Sequence, residues 1–324
     1  MKHNQSRIFL LTLLGFNSYA FYGWTWEGPP APIGSGLVNL NRPTTYLEST
    51  GSGFSSVPLD GRLRGNLVLL ESKEDTYQVN FKTELFQLPY SIPLSGSGVN
   101  TPTNLWAIDV GGSYRHKVND SHDYGLILGI GSDSDIPFNS VNEIDYSVTA
   151  TYHWKKDILH SWLFLLNYSA TRSFAPGVPL PGLGYFIMDP ENHTQVFYGL
   201  PFFFGWEFAK DWQLTANYFL LTTMNTEVNY RLNDKFKIHG GFQWGSQTWL
   251  RAWRSDSRNH IIFDQKKIFA GLASSIGENW FLDISTGFVF DERIAEAYSI
   301  LSQNINYNYL PVSITAQGQL AYKF

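Results

Sequence analysis

From residue 63 to the C-terminus, apolar and polar side chains alternate through one segment after another. Because a β-strand points successive side chains to opposite faces, each of these segments has one apolar and one polar face. At residues 143–154, for example, Tyr146, Val148 and Tyr152 fall on one face, with Asp145 and Thr149 on the other. The pattern predicts an all-β protein.

A soluble sandwich would show the same alternation, so other features must separate that fold from a membrane barrel. The segments are about nine to fifteen residues long, closer to the nine to eleven that cross a bilayer than to the five or six of soluble sheets. Aromatic residues such as Trp154, Trp206, Trp212 and Trp280 stand at the ends of the apolar faces, where their rings suit the headgroup boundary.

Connections between the segments also alternate between short and long. The short ones lie at residues 72–75, 119–122, 155–158, 210–211, 233–234 and 278–279. The long ones lie at 87–103, 132–140, 172–193, 250–263 and 292–311, with a tighter one at 221–225. The prediction is an antiparallel, transmembrane, up-and-down β-barrel with short periplasmic turns and longer extracellular loops.

The strand count predicted from the pattern is fourteen. Thirteen segments show the alternation, and a weak strand within residues 39–56 is added because termini on the same side require an even number. Twelve is the alternative, since residues 49–56 and the segment around Leu63 are poorly patterned. The barrel is expected to occupy residues 43–324, after an irregular, proline-rich segment at 21–42.

The first twenty residues have the pattern of a cleaved bacterial export signal. Lys2 and Arg7 precede an apolar run at residues 8–16, and Ser18 and Ala20 place small residues before a cut. After this segment there is no run of about 20 apolar residues that would form a membrane-spanning helix. The net charge of -5 argues against a nucleic-acid partner, which would favour a basic surface.

Two parts of the sequence resemble known outer-membrane proteins. The C-terminal residues 319–324, with Tyr322 and the terminal Phe324, resemble the signal that hands outer-membrane barrels to their assembly machinery. Residues 200–206, 211–214, 228–235 and 287–290 resemble a family of uncharacterised bacterial outer-membrane β-barrel proteins, mainly over 195–291. The resemblance implies a barrel in the outer membrane of a Gram-negative bacterium, and it implies no activity.

If lipid surrounds the barrel, its polar faces line the lumen. The ionisable residues on those faces are Lys82, Glu84, Asp109, Arg115, Glu143, Asp145, Glu227, Arg231, Lys237, His239 and Asp283. They could form interstrand ion pairs that brace the interior, or a constriction whose charges sort solutes. Because both signs occur on neighbouring strands, strong selectivity for one sign of ion is not expected.

The loop at residues 249–260 is the main basic segment outside the strands. It contains Arg251, Arg254, Arg258 and His260, which on the extracellular side could bind lipopolysaccharide phosphates or an anionic solute. An ordinary solvated loop explains the same residues equally well, since Asp256 offsets part of the charge.

The chain shows no spacing typical of a nucleophile motif or a metal site, so no catalytic residue, metal or cofactor is predicted. The function expected from the sequence is a passive channel or pore for small solutes. The alternative is a non-conducting structural or surface-interaction barrel that binds lipopolysaccharide or a protein partner. Expected partners are therefore outer-membrane lipid, lipopolysaccharide and the barrel assembly machinery, with the oligomeric state and the solute left open.

Overall fold

The computed structural model describes residues 35–46 and 59–324, apart from 89, 95–96, 173, 200–201, 220–221, 278–279, 304 and 324. The strands are β1 Ser35–Tyr46, β2 Leu59–Glu71, β3 Asp75–Gln87, β4 Asn104–Lys117, β5 His122–Ser134, β6 Asp145–Lys155, β7 His160–Ser169, β8 Leu180–Asp189, β9 Thr194–Tyr198, β10 Phe202–Ala209, β11 Trp212–Phe219, β12 Thr223–Arg231, β13 Phe236–Trp249, β14 His260–Ile276, β15 Trp280–Ala297, β16 Asn308–Tyr309 and β17 Ser313–Lys323. None of the described helices is long and apolar enough to cross a membrane.

The strands pair antiparallel in chain order and the pairings close into a ring. Each strand from β1 to β15 pairs with the next, β15 pairs with β17, and β17 returns to β1. The two-residue β16 pairs only with the outer part of β15 and stands outside the ring. The all-β, up-and-down antiparallel barrel predicted from the sequence is therefore confirmed, with sixteen strands in the ring.

The predicted count of fourteen is two too low, for two local reasons. The segment predicted as one strand at 194–209 is a hairpin of two strands, β9 and β10, and in the sequence Gly199 and Pro201 interrupt the alternation between them. The predicted long loop at 172–193 contains β8, whose Pro181, Gly182 and Gly184 weaken the alternation. Together the two additional strands raise the count from fourteen to sixteen, which is again even.

The barrel also begins earlier than predicted. Strand β1 occupies Ser35–Tyr46, so the expected boundary at residue 43 falls inside a strand, and residues 35–42 are not irregular. Pro43 marks a register shift against β17, as expected for a residue that cannot donate to the ladder. The predicted signal peptide at 1–20 and residues 21–34 lie outside the described residues.

The outer face of the barrel is apolar and the inner face is polar over most of its height. On β4, Trp106, Ile108 and Val110 are exposed, while the alternate residues Ala107 and Asp109 are buried. At the loop side, outward positions on β14 and β15 become charged and pair as Asp264–Arg293 (2.7 Å) and Lys266–Asp291 (2.5 Å). These ion pairs mark the loop-side limit of the apolar belt.

Aromatic side chains ring the outer face at the end where the short turns lie. Ring centroids are 4.4 Å apart for Trp162–Tyr185, and 4.7 Å apart for both Tyr77–Tyr114 and Trp212–Tyr230. Rings of this kind suit the boundary between hydrocarbon and headgroups. The distribution of side chains is therefore the inverse of that in a soluble sheet protein, because the apolar face is on the outside.

Ring closure can be tested by one cross-link. Leu40 on β1 lies directly opposite Gly318 on β17, a separation that suits a disulfide, and the chain has no cysteine of its own. The double variant Leu40→Cys/Gly318→Cys is expected to oxidise to a cross-linked chain with altered mobility in a denaturing gel. A control pair, Leu40→Cys with Ser147→Cys on β6, should stay reduced, and failure of the first pair to cross-link would contradict closure.

Candidate functional site in the barrel interior

Opposite walls of the barrel meet at its loop end. Strands β5 and β13 are eight positions apart around the sixteen-strand ring in either direction, yet Ser134 and Leu250 form a parallel bridge. The Leu250 N–H donates to the carbonyl of Asp133 (2.6 Å), and the Ala252 N–H donates to Asp135 Oδ1 (2.6 Å). The segment at 250–259, which we call the crossing segment, therefore spans the mouth.

Two arginines fasten the crossing segment through ion pairs. Arg254 pairs with Glu143 (3.1 Å), in the 3-10 turn Val141–Glu143, and both side chains are 3% exposed. Arg251 pairs with Glu296 at the end of β15 (3.0 Å). A buried pair with one partner removed leaves an uncompensated charge, so each partner is needed to keep the other in place.

The predicted basic loop thus uses its charge within the protein. Arg251 and Arg254 pair with carboxylates of other elements, and His260 is buried at the start of β14. Arg258 is exposed but pairs with Asp256 (2.9 Å), and its guanidinium holds the pKa of that carboxyl at about 2. Two of its three arginines therefore hold the segment against other elements of the barrel, and the third, Arg258, stays exposed.

Beneath the crossing segment, an apolar cluster fills the interior at the loop end. This plug consists of Phe86, Leu88, Ile92, Leu94, Leu105, Ala107, Trp249, Ile261, Phe263 and Ile294. Its members come from β3 and β4 on one side, from β13, β14 and β15 on the other, and from the β3–β4 connection. The ring of Phe86 stacks on Trp249 (6.0 Å) and packs against Phe263 (4.8 Å).

The plug was not predicted from the sequence, although a signal for it exists. Leu105, Trp249 and Phe263 are apolar residues on strand faces that are otherwise polar, and each stands at the loop end of its strand. Apolar residues that stand on interior faces at the same end of several neighbouring strands indicate that this end is packed rather than filled with water.

The first ion cluster lies on β3, β4 and β5. Lys82 Nζ is 3.1 Å from Asp109 Oδ2, 3.7 Å from Asp133 Oδ1 and 3.9 Å from Glu84 Oε2. Lys82 and Glu84 are almost completely buried. The Lys82 ammonium therefore lies within 4 Å of three carboxylates, and close contact between opposite charges offsets the cost of removing them from water.

The second ion cluster lies nearer the turns, on β12, β13 and β15. His239 Nδ1 is 3.5 Å from Glu227, and His239 Nε2 is 3.0 Å from Asp283. Lys237 approaches Glu227 at 3.9 Å. The histidine reaches from β13 to β15 across Gly271 of β14, where an added Cβ would overlap the imidazole.

Of the remaining predicted lumen residues, Asp145 lies close enough to Lys82 and Asp133 to interact with the first cluster electrostatically, whereas Arg115 and Glu143 pair elsewhere. Arg115 pairs with Asp123 (3.0 Å), and Asp123 also contacts His153. Asp123 and His153 were not among the predicted residues. Arg231 lies directly opposite Lys237 in the β12–β13 register. Glu143 is at the mouth, and Asp145 faces Gly131 on β5.

Other predicted features are placed as follows. Within the described part of the chain, no three His, Cys, Asp or Glu residues are arranged to hold a metal ion. The backbone of Tyr322 pairs with Trp280 and Gly36, so the predicted assembly signal lies on the strand that closes the ring. Phe324 lies outside the described residues.

No protein-family model and no curated protein matches this chain, so the particular family that the sequence resembles stays a prediction. Three solved structures are similar over most of its length. An outer-membrane channel from Pseudomonas putida F1 is 12% identical, has a TM-score of 0.36 and is matched over 94% of this chain and 100% of its own. A Pseudomonas aeruginosa FadL homologue is 12% identical, has a TM-score of 0.38 and is matched over 90% of this chain and 89% of its own. The CymD monoaromatic hydrocarbon channel is 8% identical, has a TM-score of 0.43 and is matched over 91% of this chain and 89% of its own. At such values the matches carry no weight beyond the general fold, which the strand pairings establish independently.

The glycine beneath His239 provides a test of the second cluster. In Gly271→Val the new side chain would displace the imidazole and separate it from Asp283, leaving interior charges unpaired. We expect a loss of about 3 kcal/mol or more in the free energy of unfolding, measured by urea titration in lipid vesicles. The matched control is Gly245→Val on β13, where a Cβ meets nothing within 4 Å, and equal losses in both variants would contradict the packing described.

Proposed function

We propose that this protein is a gated passive channel for small solutes in the outer membrane of a Gram-negative bacterium. The observation that carries the proposal is the number of strands in the ring. Eight strands enclose a space that their own side chains fill, whereas sixteen to eighteen leave room for an aqueous channel. The ring of this protein has sixteen strands, which falls in the second class.

The proposed location rests on the surface of the barrel. Exposed apolar side chains such as Ile130, Ile268 and Ile284 cover the outer face, and aromatic rings border it at the turn end. In lipid every backbone polar group needs an internal partner, and only a closed sheet supplies one for each strand. The export signal expected at residues 1–20 and the C-terminal signal at Tyr322 and Phe324 agree with this location.

The gate is the crossing segment together with the plug. The crossing segment joins opposite walls by hydrogen bonds from Leu250 and Ala252 and by the Arg254–Glu143 pair. The plug includes Trp249, the residue directly before this segment. Nearer the turns the interior carries charged side chains such as Glu227 and Asp283, which suit a polar solute. A second, smaller apolar cluster of Leu163, Phe186 and Phe197 lies on β7, β8 and β9. Opening therefore requires that the crossing segment leave the β5 wall.

The closed mouth also favours a second candidate function. A barrel whose loops pack permanently over its interior would not conduct, and would instead present its surface to lipopolysaccharide or to a protein partner. In either case the barrel assembly machinery is the proposed partner for insertion, through the strand that ends in Tyr322. The two candidates differ in one property, namely whether loosening the crossing segment produces a pore.

Conductance in planar bilayers tests the proposal. Residues 21–324, refolded and inserted, are expected to show rare openings, and Arg254→Ala should raise the open fraction at least tenfold because Glu143 loses its partner. The control is Arg258→Ala, which removes an exposed pair with Asp256 and should leave conductance unchanged.

Lining residues can be tested in the same recordings. Glu227→Ala and Arg231→Ala remove interior charges of opposite sign, so they should shift the preference between cations and anions in opposite directions. A folded, heat-modifiable barrel that shows no conductance in the wild type or in Arg254→Ala would refute the channel and support the non-conducting alternative.

A further inference from the structure

A carboxyl group is buried at the edge of the plug without a counter-charge. The ladder between β14 and β15 shifts register between Asp264 and Lys266, so Asp291 and Glu292 together oppose a single residue. Asp291 takes a φ of 49°, as a bulge residue does. The residues on either side of Glu292 pair on the outer face, whereas Glu292 itself is 5% exposed.

The surroundings of Glu292 connect it to the gate. Its backbone carbonyl accepts a hydrogen bond from Leu310 (2.8 Å), and Leu310 and Tyr90 both pack against the plug. Tyr90 belongs to the β3–β4 connection that supplies Leu88, Ile92 and Leu94. Burial, and then the charge of Glu292, raise the pKa of the Tyr90 phenol.

The other ionisable groups in this region do not neutralise Glu292. Arg293 is held by Asp264 and lies over the ring of Tyr307, and Arg251 is held by Glu296. Burial lowers the pKa of His260 to about 4, so this histidine carries no charge at neutral pH. Among the described residues, none forms an ion pair with the Glu292 side chain.

We propose that Glu292 is the proton-sensitive element of the gate, and that its ionisation releases the plug. The inference rests on the proposed gated channel and concerns what opens it. A neutral carboxyl is tolerated in the plug, but an ionised carboxylate there has no cation and little water. Ionisation therefore favours conformations in which the β3–β4 connection moves away and solvent reaches the group.

The sign of the pH dependence follows from burial. Glu292 lies level with the Asp264–Arg293 and Lys266–Asp291 pairs at the loop-side limit of the apolar belt, and burial raises the pKa of its carboxyl to about 8, against about 4.3 for a solvated glutamate. The closed plug thus binds the proton more tightly than the open one. The opening equilibrium should rise with pH, by up to about tenfold per unit between roughly pH 5 and pH 8, and level off above that.

A thiol reporter measures opening without requiring conductance. The chain has no cysteine, so Ile92→Cys places a single thiol in the plug, where Ile92 is buried. Its rate of reaction with a maleimide is measured from pH 5 to pH 9 in folded barrels, with and without Glu292→Gln. At each pH, the rate with Glu292 present is divided by the rate of the Glu292→Gln variant, and this ratio cancels the intrinsic reactivity of the thiol.

The proposal predicts that this ratio rises at least tenfold from pH 5 to pH 8. A ratio that stays constant would overturn it. The matched control is Glu296→Gln, since the Glu296 side chain is 3% exposed and paired with Arg251, and removal of its charge should raise reactivity by a similar factor at every pH. If Glu292→Gln does not fold, as judged by heat modifiability, Glu292→Met takes its place.

Conductance separates this proposal from the proposed function. A pH-dependent thiol ratio with no conductance at any pH would retain Glu292 as a switch of the plug and refute the channel. Conductance with a constant ratio would retain the channel and refute the role of Glu292.

Discussion

The pairing of β1 with β17 is the interaction on which the rest of the structure depends. Every strand between them has two neighbours by sequence order, and these two would be left with open edges if they did not meet. An open edge in lipid leaves a row of backbone donors and acceptors unpaired, at several kcal/mol for each group. Closure fixes the circumference, and the circumference decides how much interior there is to fill.

The interior is filled differently at its two ends. At the loop end, apolar side chains from opposite sides pack together around Trp249 and Phe86, and the crossing segment covers them. Nearer the turns, the His239 side chain lies over Gly271 of the neighbouring strand, and closer to the plug Asp109 lies over Gly131 in the same way. A side chain can lie flat against the wall only where its neighbour has none, so these glycines allow ions two strands apart to meet.

The sequence was sufficient to predict the barrel and most of its strands, because alternation is a local property that every strand repeats. It missed β8 and the β9–β10 turn, where Pro181, Gly182 and Pro201 interrupt the alternation that marks a strand. It identified Lys82, Asp109, His239 and Asp283 as polar-face residues, but their grouping depends on register, which a single sequence does not reveal.

The position of the crossing segment could not be predicted from the sequence, for a different reason. The contact between Leu250 and Ser134 joins residues more than a hundred positions apart on opposite walls, and no local pattern encodes it. In the sequence, Arg251 and Arg254 indicate a basic loop. Only the structure shows that they form ion pairs with Glu296 and Glu143 of other elements. Charge on a loop says little about binding until its partners are known.

The central claim, that opposite walls meet at one end of a wide barrel, can be measured directly as two distances. Spin labels at Ile136→Cys and Trp253→Cys report the mouth, and labels at Asp120→Cys and Asp234→Cys report opposite sides of the turn end. In lipid, pulsed dipolar spectroscopy should give no more than about 20 Å at the mouth, because the neighbouring Asp135 and Ala252 are hydrogen-bonded. The turn-end distance should be roughly 30 Å, the width of sixteen strands about 4.8 Å apart and tilted by about 40°. Equal distances at the two ends would contradict the account.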